Sequence, residues 1–503
     1  MVSRSITVTE RIDRLADLHP NNVAVTFVRP DGTERCLTWS QLTREADVAY
    51  RALLALRLRP GSLVCVQLPA APEHVAVTLG AWRLGATMLA LDPRMPQAEL
   101  DRLVGVAKPA LLVAARPSPA CPSVTVAELL GGKEPSRSPE APVGGTGTAA
   151  PALPRSAHTT GGTTGHPRVI LRQHPWVYSS DLRSLPDDRE FGVGLGERQL
   201  VAVPLHHVGF TRLYHGLALD HHVVVMEAFS PGLALELIHR HSISYFLVVP
   251  AMMRLILDCV ADADLSSVQT VHISSAGCPE PVIRAWMRRF PPERVWYTYA
   301  MQERLGSVWI RGDEWLEHPG SVGRPRTCEV RIERPSGELA RPNEVGEIFI
   351  RGEYSRQPRY LGSGPRLKEH DGFLSVGDFG HLDEDGYLYV LGRQAEMINV
   401  GGVKVFPAEV EQILLQHPGV TDAAVVGRPE PYLGEVVHAL VVPRAPATSS
   451  LESSLITLCR GQLVEEKVPM SVEVMASIPR TSTGKLRRRD LVPGRVFSEP
   501  LST

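Results

Sequence analysis

Lysine is scarce in this chain: of its 53 basic residues, Lys108, Lys133, Lys368, Lys404, Lys467 and Lys485 are lysines and the rest are arginines. A lysine inside a motif is therefore informative, whereas an arginine in a lysine's place follows the composition. The seven cysteines are odd in number and form no C-x-x-C pair, so neither a disulfide framework nor a zinc site is indicated. Charge of one sign is not in excess, and a formal net charge of −2 gives no reason to expect nucleic acid or an acidic surface as partner. No apolar run approaches the roughly 18 residues of a membrane span. The first residues, MVSRSITVTERIDRLADLHP, read as a short amphipathic helix and not as a charged, apolar and small-residue leader. A soluble cytoplasmic protein with no nucleic acid and no membrane as partner is expected.

What is present is length and an ordinary globular composition. At 503 residues, 43% hydrophobic and 21% charged, the chain exceeds one compact core, since domains run to roughly 100–200 residues. From about residue 60 to residue 310 short apolar runs alternate with helical patterns: SLVCVQL, HVAVTLGAWRLG and TMLALDP, then HHVVVMEAF, LALELIHRH, YFLVVP and AMMRLILDCV. Strands alternating with helices predict an α/β fold of parallel βαβ layers. Residues 132–158, rich in Pro, Gly, Ser and Ala, read as a flexible connection. After Pro325 the segments CEVRIERPSGELA, VGEIFIRG and GHLDEDGYLYVLGR predict antiparallel strands. Pro407 opens a helix whose positive end suits Glu409 and Glu411, and the remainder is long enough for a small α+β domain.

The densest motif is TTGGTTGHPRVI at 159–170. Glycine turns expose backbone N–H groups and threonine hydroxyls add donors, so the loop can wrap phosphate oxygens without a helix lysine. By itself it reads equally as a surface loop. Its company, in order, is LTWSQL at 37–42, LGATMLALDPRMP at 84–96, PLHHVGF at 204–210, SSAGCPEP at 274–281, TYAMQE at 298–303, SVGD at 375–378, GRQAEMINVGGVKVFPAEVE at 392–411 and RTSTGKL at 480–486. On these motifs, which cover nearly the whole chain, it resembles the acyl-adenylate-forming superfamily of acyl-CoA ligases, peptide-synthetase adenylation domains and luciferases.

The resemblance implies a large N-terminal domain over 1–393, of layered sheets with a small barrel-like β part, then a hinge at 394–397. A small α+β domain over 398–503 would rotate about it between two half-reactions. It implies that ATP and a carboxylic acid give acyl-AMP, with Mg²⁺ bound, and that CoA accepts the acyl group. Thr160, Gly161, Gly162, Thr163, Thr164 and Gly165, with Arg168, would hold phosphates, and Glu303 would hold Mg²⁺. Ala276, Gly277 and Cys278 would run along the adenine, Tyr299 would stack on it, and Asp378 with Arg393 would take the ribose hydroxyls. Lys485 would bridge carboxylate, α-phosphate and ribose. His206, His207, Phe210 and Met301 would line the acyl pocket, Glu396 would sit in the hinge, and Gly401 and Gly402 would meet the pantetheine. Taken singly, Asp378 reads also as a turn former, Tyr299 as a core aromatic, Cys278 as a small hydrophobe, the His pair as surface, and Lys485 as solvated beside Arg487, Arg488 and Arg489.

Within the superfamily the runs around 223–253 and 264–286, with EWLEHPGSVGRP, resemble ligases of bulky acids such as bile acids, and fatty acyl ligases share parts of the pattern; the Arg-heavy composition suggests a GC-rich bacterial source and, with a polycyclic acid, a resemblance to terpenoid-acid CoA ligases of the platensimycin and platencin type. That implies a polycyclic or terpenoid acid in bacterial antibiotic biosynthesis, and the small Gly209 and Gly216 near Phe210 would leave room for it. The departures fall on one half-reaction: Arg168 stands for a lysine, Ala300 for a glycine, and Gln302 for a threonine that touches the α-phosphate. Weakened adenylation is expected from them, with acyl-AMP received from a separate adenylating enzyme. Arg and Gln acting as adequate donors is the alternative. An amide synthetase and a non-catalytic nucleotide-binding relative are further readings.

Overall fold

The computed structural model describes residues 5–131, 153–159, 168–172, 174–178, 190–259, 263–352, 355–362, 366–446, 449–480 and 485–491. Helices begin where local chemistry asks for them. In LTWSQL the hydroxyl of Thr38 accepts from the Gln41 N–H at 3.3 Å and Gln41 Oε1 accepts from the Thr38 N–H at 2.8 Å, a reciprocal cap on the helix Trp39–Ala55. Thr7 and Glu10 cap the expected N-terminal helix, Val8–Leu18, in the same way. Pro72–Arg83, Pro231–Arg240 and Pro250–Asp258 each start on proline, whose fixed φ and missing N–H suit a first turn.

Two large sheets carry the N-terminal part. In one, Val295–Ala300, Thr270–Ile273, Tyr245–Val248, Arg198–Val201, His222–Met226 and Val23–Val28 run parallel, with antiparallel strands at both edges. In the other, Arg155–Thr159, Thr87–Ala90, Leu63–Gln67, Leu111–Ala114 and Ser123–Val124 are parallel, and Val169–Leu171 folds back antiparallel onto Arg155–Thr159. Part of the stretch expected to be flexible is thus a buried strand, because Thr87–Ala90 offers it a paired edge. Residues 132–152 lie outside the described set. An antiparallel sheet follows, including Cys328–Glu333, Gly346–Gly352, Asp378–Leu382 and Leu388–Arg393. The C-terminal domain packs Pro407–Leu414 and Leu451–Arg460 on a sheet centred on Val420–Glu430 and Gly434–Pro443. No described helix is long and apolar enough to cross a membrane.

The core between the two large sheets is aromatic at one point. Trp82 meets Trp176, Phe210 and Tyr214 at ring-centroid distances of 4.9, 5.7 and 4.7 Å. Its indole N–H donates to the Arg155 carbonyl at 2.9 Å, and that of Trp176 to Ser156 Oγ at 3.1 Å. These bonds fasten the strand that leads into the glycine-threonine loop. Gly80 lets the helices Trp39–Ala55 and Pro72–Arg83 meet: a Cβ there would lie 2.7 Å from the Tyr50 nitrogen and 2.9 Å from the Ala46 oxygen.

Gly80→Val is expected to push the two helices apart and lower stability by about 1–3 kcal/mol, read as a lower urea midpoint; an unchanged midpoint would contradict the close approach. The buried imidazoles give a second expectation. Burial pushes the pKa of His74 down to about 4 and that of His207 down to about 3, both from 6.5. The unfolded chain binds protons that the fold refuses, so this contribution is whole above about pH 6.5 and is lost as pH falls through the folded values. The urea midpoint at pH 5 should lie below that at pH 7.5.

Candidate active site

Three strand ends meet at Asp378. Tyr299 lies near the end of Val295–Ala300, Asp378 opens Asp378–Leu382, and Arg393 ends Leu388–Arg393 directly across from Asp378 in the register. The Tyr299 hydroxyl donates to Asp378 Oδ2 at 2.6 Å and Arg393 Nε donates to Oδ1 at 3.0 Å. Burial, and then the Asp378 charge, pushes the Tyr299 phenol well up, so it stays a donor; Asp378 raises the pKa of Arg393. Asp378 is 6% exposed. Each carboxylate oxygen carries a second lone pair, so the group can still accept from a neighbouring diol.

The loop after Tyr299 turns at Arg304, whose N–H donates to the Met301 carbonyl at 3.1 Å. Met301, Gln302 and Glu303 are half-buried along it. Glu303 Oε1 accepts from the Tyr360 hydroxyl at 3.4 Å, and Arg168, just before Val169–Leu171, lies within electrostatic reach of Tyr360. No group of three or more His, Cys, Asp or Glu among the described residues could cage a metal ion. A lone carboxylate still fits Mg²⁺, which is commonly held by one or two carboxylates together with water and phosphate oxygens.

Lys485 comes to this place from the C-terminal domain. Burial in the cleft lowers its pKa, Arg393 lowers it further, and Asp378, Glu303 and Glu396 pull the other way. Its side chain is nevertheless accessible to water. His207 is also within its field. The approach is held from both domains. Asp422 binds Arg254 Nη1 at 2.8 Å across the interface and Arg480 Nη2, whose residue bridges to Leu486 next to Lys485, at 2.7 Å. Burial raises the pKa of Asp422, and the two guanidiniums reverse this and hold it below its ordinary value. Arg488 binds Glu411 and reaches Glu396, in the Gln394–Glu396 turn, at 3.3 Å. Glu411, expected to suit the helix dipole, instead accepts from the Val425 N–H at 2.7 Å beside Arg488.

Ala276, Gly277 and Cys278 form the turn after Thr270–Ile273. The Tyr297 hydroxyl donates to the Ala276 carbonyl and accepts from the Cys278 N–H, both at 3.2 Å. Burial drives the Cys278 thiol pKa up, which removes it as a nucleophile. His206 lies 3.4 Å from Asp92 of the LALDP motif, with the His207 ring 4.6 Å from its own. Met301 packs against the second large core, whereas Phe210 is 2% exposed within the Trp82 cluster. The expectation that Gly209 and Gly216 leave room for a bulky acid is corrected. A Cβ on Gly209 would lie 2.2 Å from the Val203 oxygen, and one on Gly216 would lie 2.3 Å from Gln199 Oε1, so both serve tight packing. Gly401 and Gly402, at φ +57° and +96°, turn between Ile398–Val400 and Val403–Val405 on the C-terminal domain. Thr160, Gly161, Gly162, Thr163, Thr164 and Gly165 lie outside the described residues.

Reading motifs alone missed Arg172, Tyr360, Arg254, Asp422 and Arg488. Arg172 Nη2 donates to Gln302 Oε1 at 2.8 Å; a charged residue directly after the apolar strand VIL was its only signal. Arg488 reads as one of a solvated run, yet its side chain is 11% exposed and paired to two carboxylates.

Known proteins resemble the chain over nearly its whole length. The model of the AMP-binding enzyme family matches residues 12–357, and that of the AMP-binding enzyme C-terminal domain matches 409–485. The chain belongs to that family, among its AMP-forming acid–CoA ligases. It is 30% identical to the indoleacetate–CoA ligase of Aromatoleum aromaticum, over 98% of this chain and 99% of the relative. O-succinylbenzoate coenzyme A synthetase from Bacillus subtilis, solved with ATP and magnesium ion, superposes with a TM-score of 0.80 at 25% identity, covering 97% of this chain and 100% of the other. The amide bond synthetase from Marinactinospora thermotolerans gives 0.75 at 25%, covering 96% and 99%.

Asp378→Asn keeps the shape and removes the charge that Tyr299 and Arg393 share. A hydrogen bond to a charged group contributes about 1.5–3 kcal/mol, so the KM for ATP should rise about tenfold or more in steady-state assays; an unchanged KM would remove Asp378 from the nucleotide site.

Proposed function

We propose that this chain activates a bulky carboxylic acid with ATP as its acyl-adenylate and then passes the acyl group to the thiol of CoA. The observation that carries the reading is the seat of Lys485: one of few lysines, it stands within the fields of Asp378, Arg393 and Glu303 while its domain is pinned through Asp422 and Arg254. Two anionic reactants repel each other, so a site that joins them must supply fixed positive charge and N–H donors where charge develops. In the first step a carboxylate oxygen bonds to the α-phosphorus and the bond to pyrophosphate breaks. Lys485 offsets the charge on both reacting groups, Asp378 and Arg393 orient the ribose, and Tyr299 flanks the adenine. Glu303 holds Mg²⁺, which shields the phosphates when bound. The residues from Thr160 to Gly165, with Arg168, cradle the phosphates.

In the second step the domain 398–503 turns about residues 394–397. Glu396 must leave Arg488, Asp422 must leave Arg254, and the Gly401–Gly402 turn comes to the acyl centre. The thiol sulfur attacks the acyl carbon, AMP departs with the bonding pair, and the thiol proton passes to solvent. Hinge residues absorb such a backbone change. The acid we assign is a polycyclic or terpenoid one from natural-product biosynthesis, on the resemblance to bulky-acid ligases; relatives named for indoleacetate and 2-succinylbenzoate also carry ring-bearing acids.

A second reading keeps only the thioester step, with acyl-AMP supplied by a separate adenylating enzyme. Arg168, Ala300 and Gln302 favour it; the seat of Lys485 favours the complete reaction. Acid-dependent exchange of pyrophosphate into ATP decides between them. We expect exchange in the wild type and a loss of about 10²-fold or more in Lys485→Ala, with little change in the reaction of supplied acyl-AMP with CoA. Wild-type exchange indistinguishable from background would leave only the second reading. Offering CoA and amines together to acyl-AMP separates thioester from amide, and an amide as sole product would overturn the choice of acceptor.

Asp422→Ala tests the pinning. Released from Arg254 and Arg480, the C-terminal domain should populate the Lys485-in arrangement less, so exchange falls several-fold while thioester formation from acyl-AMP does not. Equal losses in both steps would count against it.

A further inference from the structure

The buried side of Gln302 holds a residue that neither the motifs nor the reaction outlined above uses. Arg172 follows the strand Val169–Leu171, and its N–H donates to the Ser156 carbonyl at 2.8 Å, extending the pairing with Arg155–Thr159. Strand alternation places Arg172 on the face of Ile170, whose register partner is His158. No described carboxylate lies within ion-pair distance of its guanidinium; among described residues the charges that act on it are Arg304 and, oppositely, Glu303. Its Nε–H is buried with no hydrogen-bond partner among the described residues. A guanidinium taken from water without a bound anion costs several kcal/mol, so this placement needs an explanation.

The one side-chain bond it makes supplies the explanation. A guanidinium has donors and no acceptor, so the atom of Gln302 that lies 2.8 Å from Arg172 Nη2 is the amide oxygen. With Oε1 so fixed, the NH₂ end points away from Arg172. That end makes no hydrogen bond to any described residue, and Gln302 is only half-buried beside Glu303. A carboxamide free to flip presents an acceptor or a donor; this one presents a donor.

We propose that Arg172 is a positioning residue that locks the Gln302 carboxamide so that its NH₂ group donates to an anionic oxygen on the phosphorus of the bound adenylate. The arrangement rests on the adenylate-binding reading above and deepens it. Gln302 then replaces a hydroxyl donor by an amide donor, and its extra length is taken up by the bond to Arg172.

The test reads AMP affinity by titration calorimetry, which needs neither the acid nor a working adenylation step. Arg172→Leu removes a half-buried charge just after an apolar strand, so the fold should hold while AMP binds about tenfold more weakly. Gln302→Glu strengthens the bond to Arg172 but leaves only acceptors toward the phosphate; its melting temperature should hold or rise while AMP affinity falls about tenfold or more. In a Gln302→Thr background, Arg172→Leu should change AMP affinity less than twofold, since the hydroxyl needs no lock. AMP bound normally by Arg172→Leu or by Gln302→Glu, or an equal Arg172→Leu loss with Thr at 302, would overturn the proposal. Normal AMP binding by a wild type that exchanges no pyrophosphate would remove the ATP step of the proposed function and leave this assignment standing.

Discussion

The site depends on one carboxylate. Asp378 is bonded on one oxygen by Tyr299 and on the other by Arg393, and these three residues end strands from two different sheets. The pair Asp378–Arg393 is a cross-strand pair of the antiparallel sheet, so its geometry follows from backbone register, whereas Tyr299 is delivered by the large parallel sheet. Fixing three polar groups at strand ends puts them on the most rigid parts of the fold and leaves the loops between to bend around a ligand. Arg393 is also the last strand residue before the turn Gln394–Glu396. The same Asp378–Arg393 bond therefore anchors the start of the connection to the second domain.

From that anchor charge runs outward in alternation. Arg488 joins Glu396 to Glu411, and Asp422 joins Arg480 to Arg254 of the larger domain. Buried or half-buried pairs of this kind gain little net stability over apolar packing, but removing one partner is expensive. They suit an interface of the kind the proposed domain rotation needs, which holds one arrangement and then releases it whole. Lys485 lies between the two clusters, where its position depends on both.

Much of the plan was legible in the sequence because it is written in local chemistry. The alternation of SLVCVQL with HVAVTLGAWRLG gave parallel layers, Pro407 opened its helix, and GHLDEDGYLYVLGR made its strand pair, since each needs only neighbours in the chain. The motifs group Asp378, Arg393 and Tyr299, and the fold brings their side chains into hydrogen-bond contact. The misreadings share a cause. Gly209 and Gly216 look like open space in a string of letters, yet the backbone at Val203 and the side chain of Gln199 fill it. Arg488 looks like one of three solvated arginines until two carboxylates, 77 and 92 residues away, are brought to it.

By itself, then, the amino-acid sequence determined the secondary elements, their layering and the residue types of an adenylate site, because periodicity, capping and turn chemistry act over a few residues. Tertiary structure alone decided which charges act on one another: that Lys485 stands in the fields of Asp378 and Glu303, that Asp422 ties two domains, and that Arg172 faces Gln302 across 130 residues of chain. Electrostatic interaction depends on distance and burial in space, and neither is a property of position along a chain.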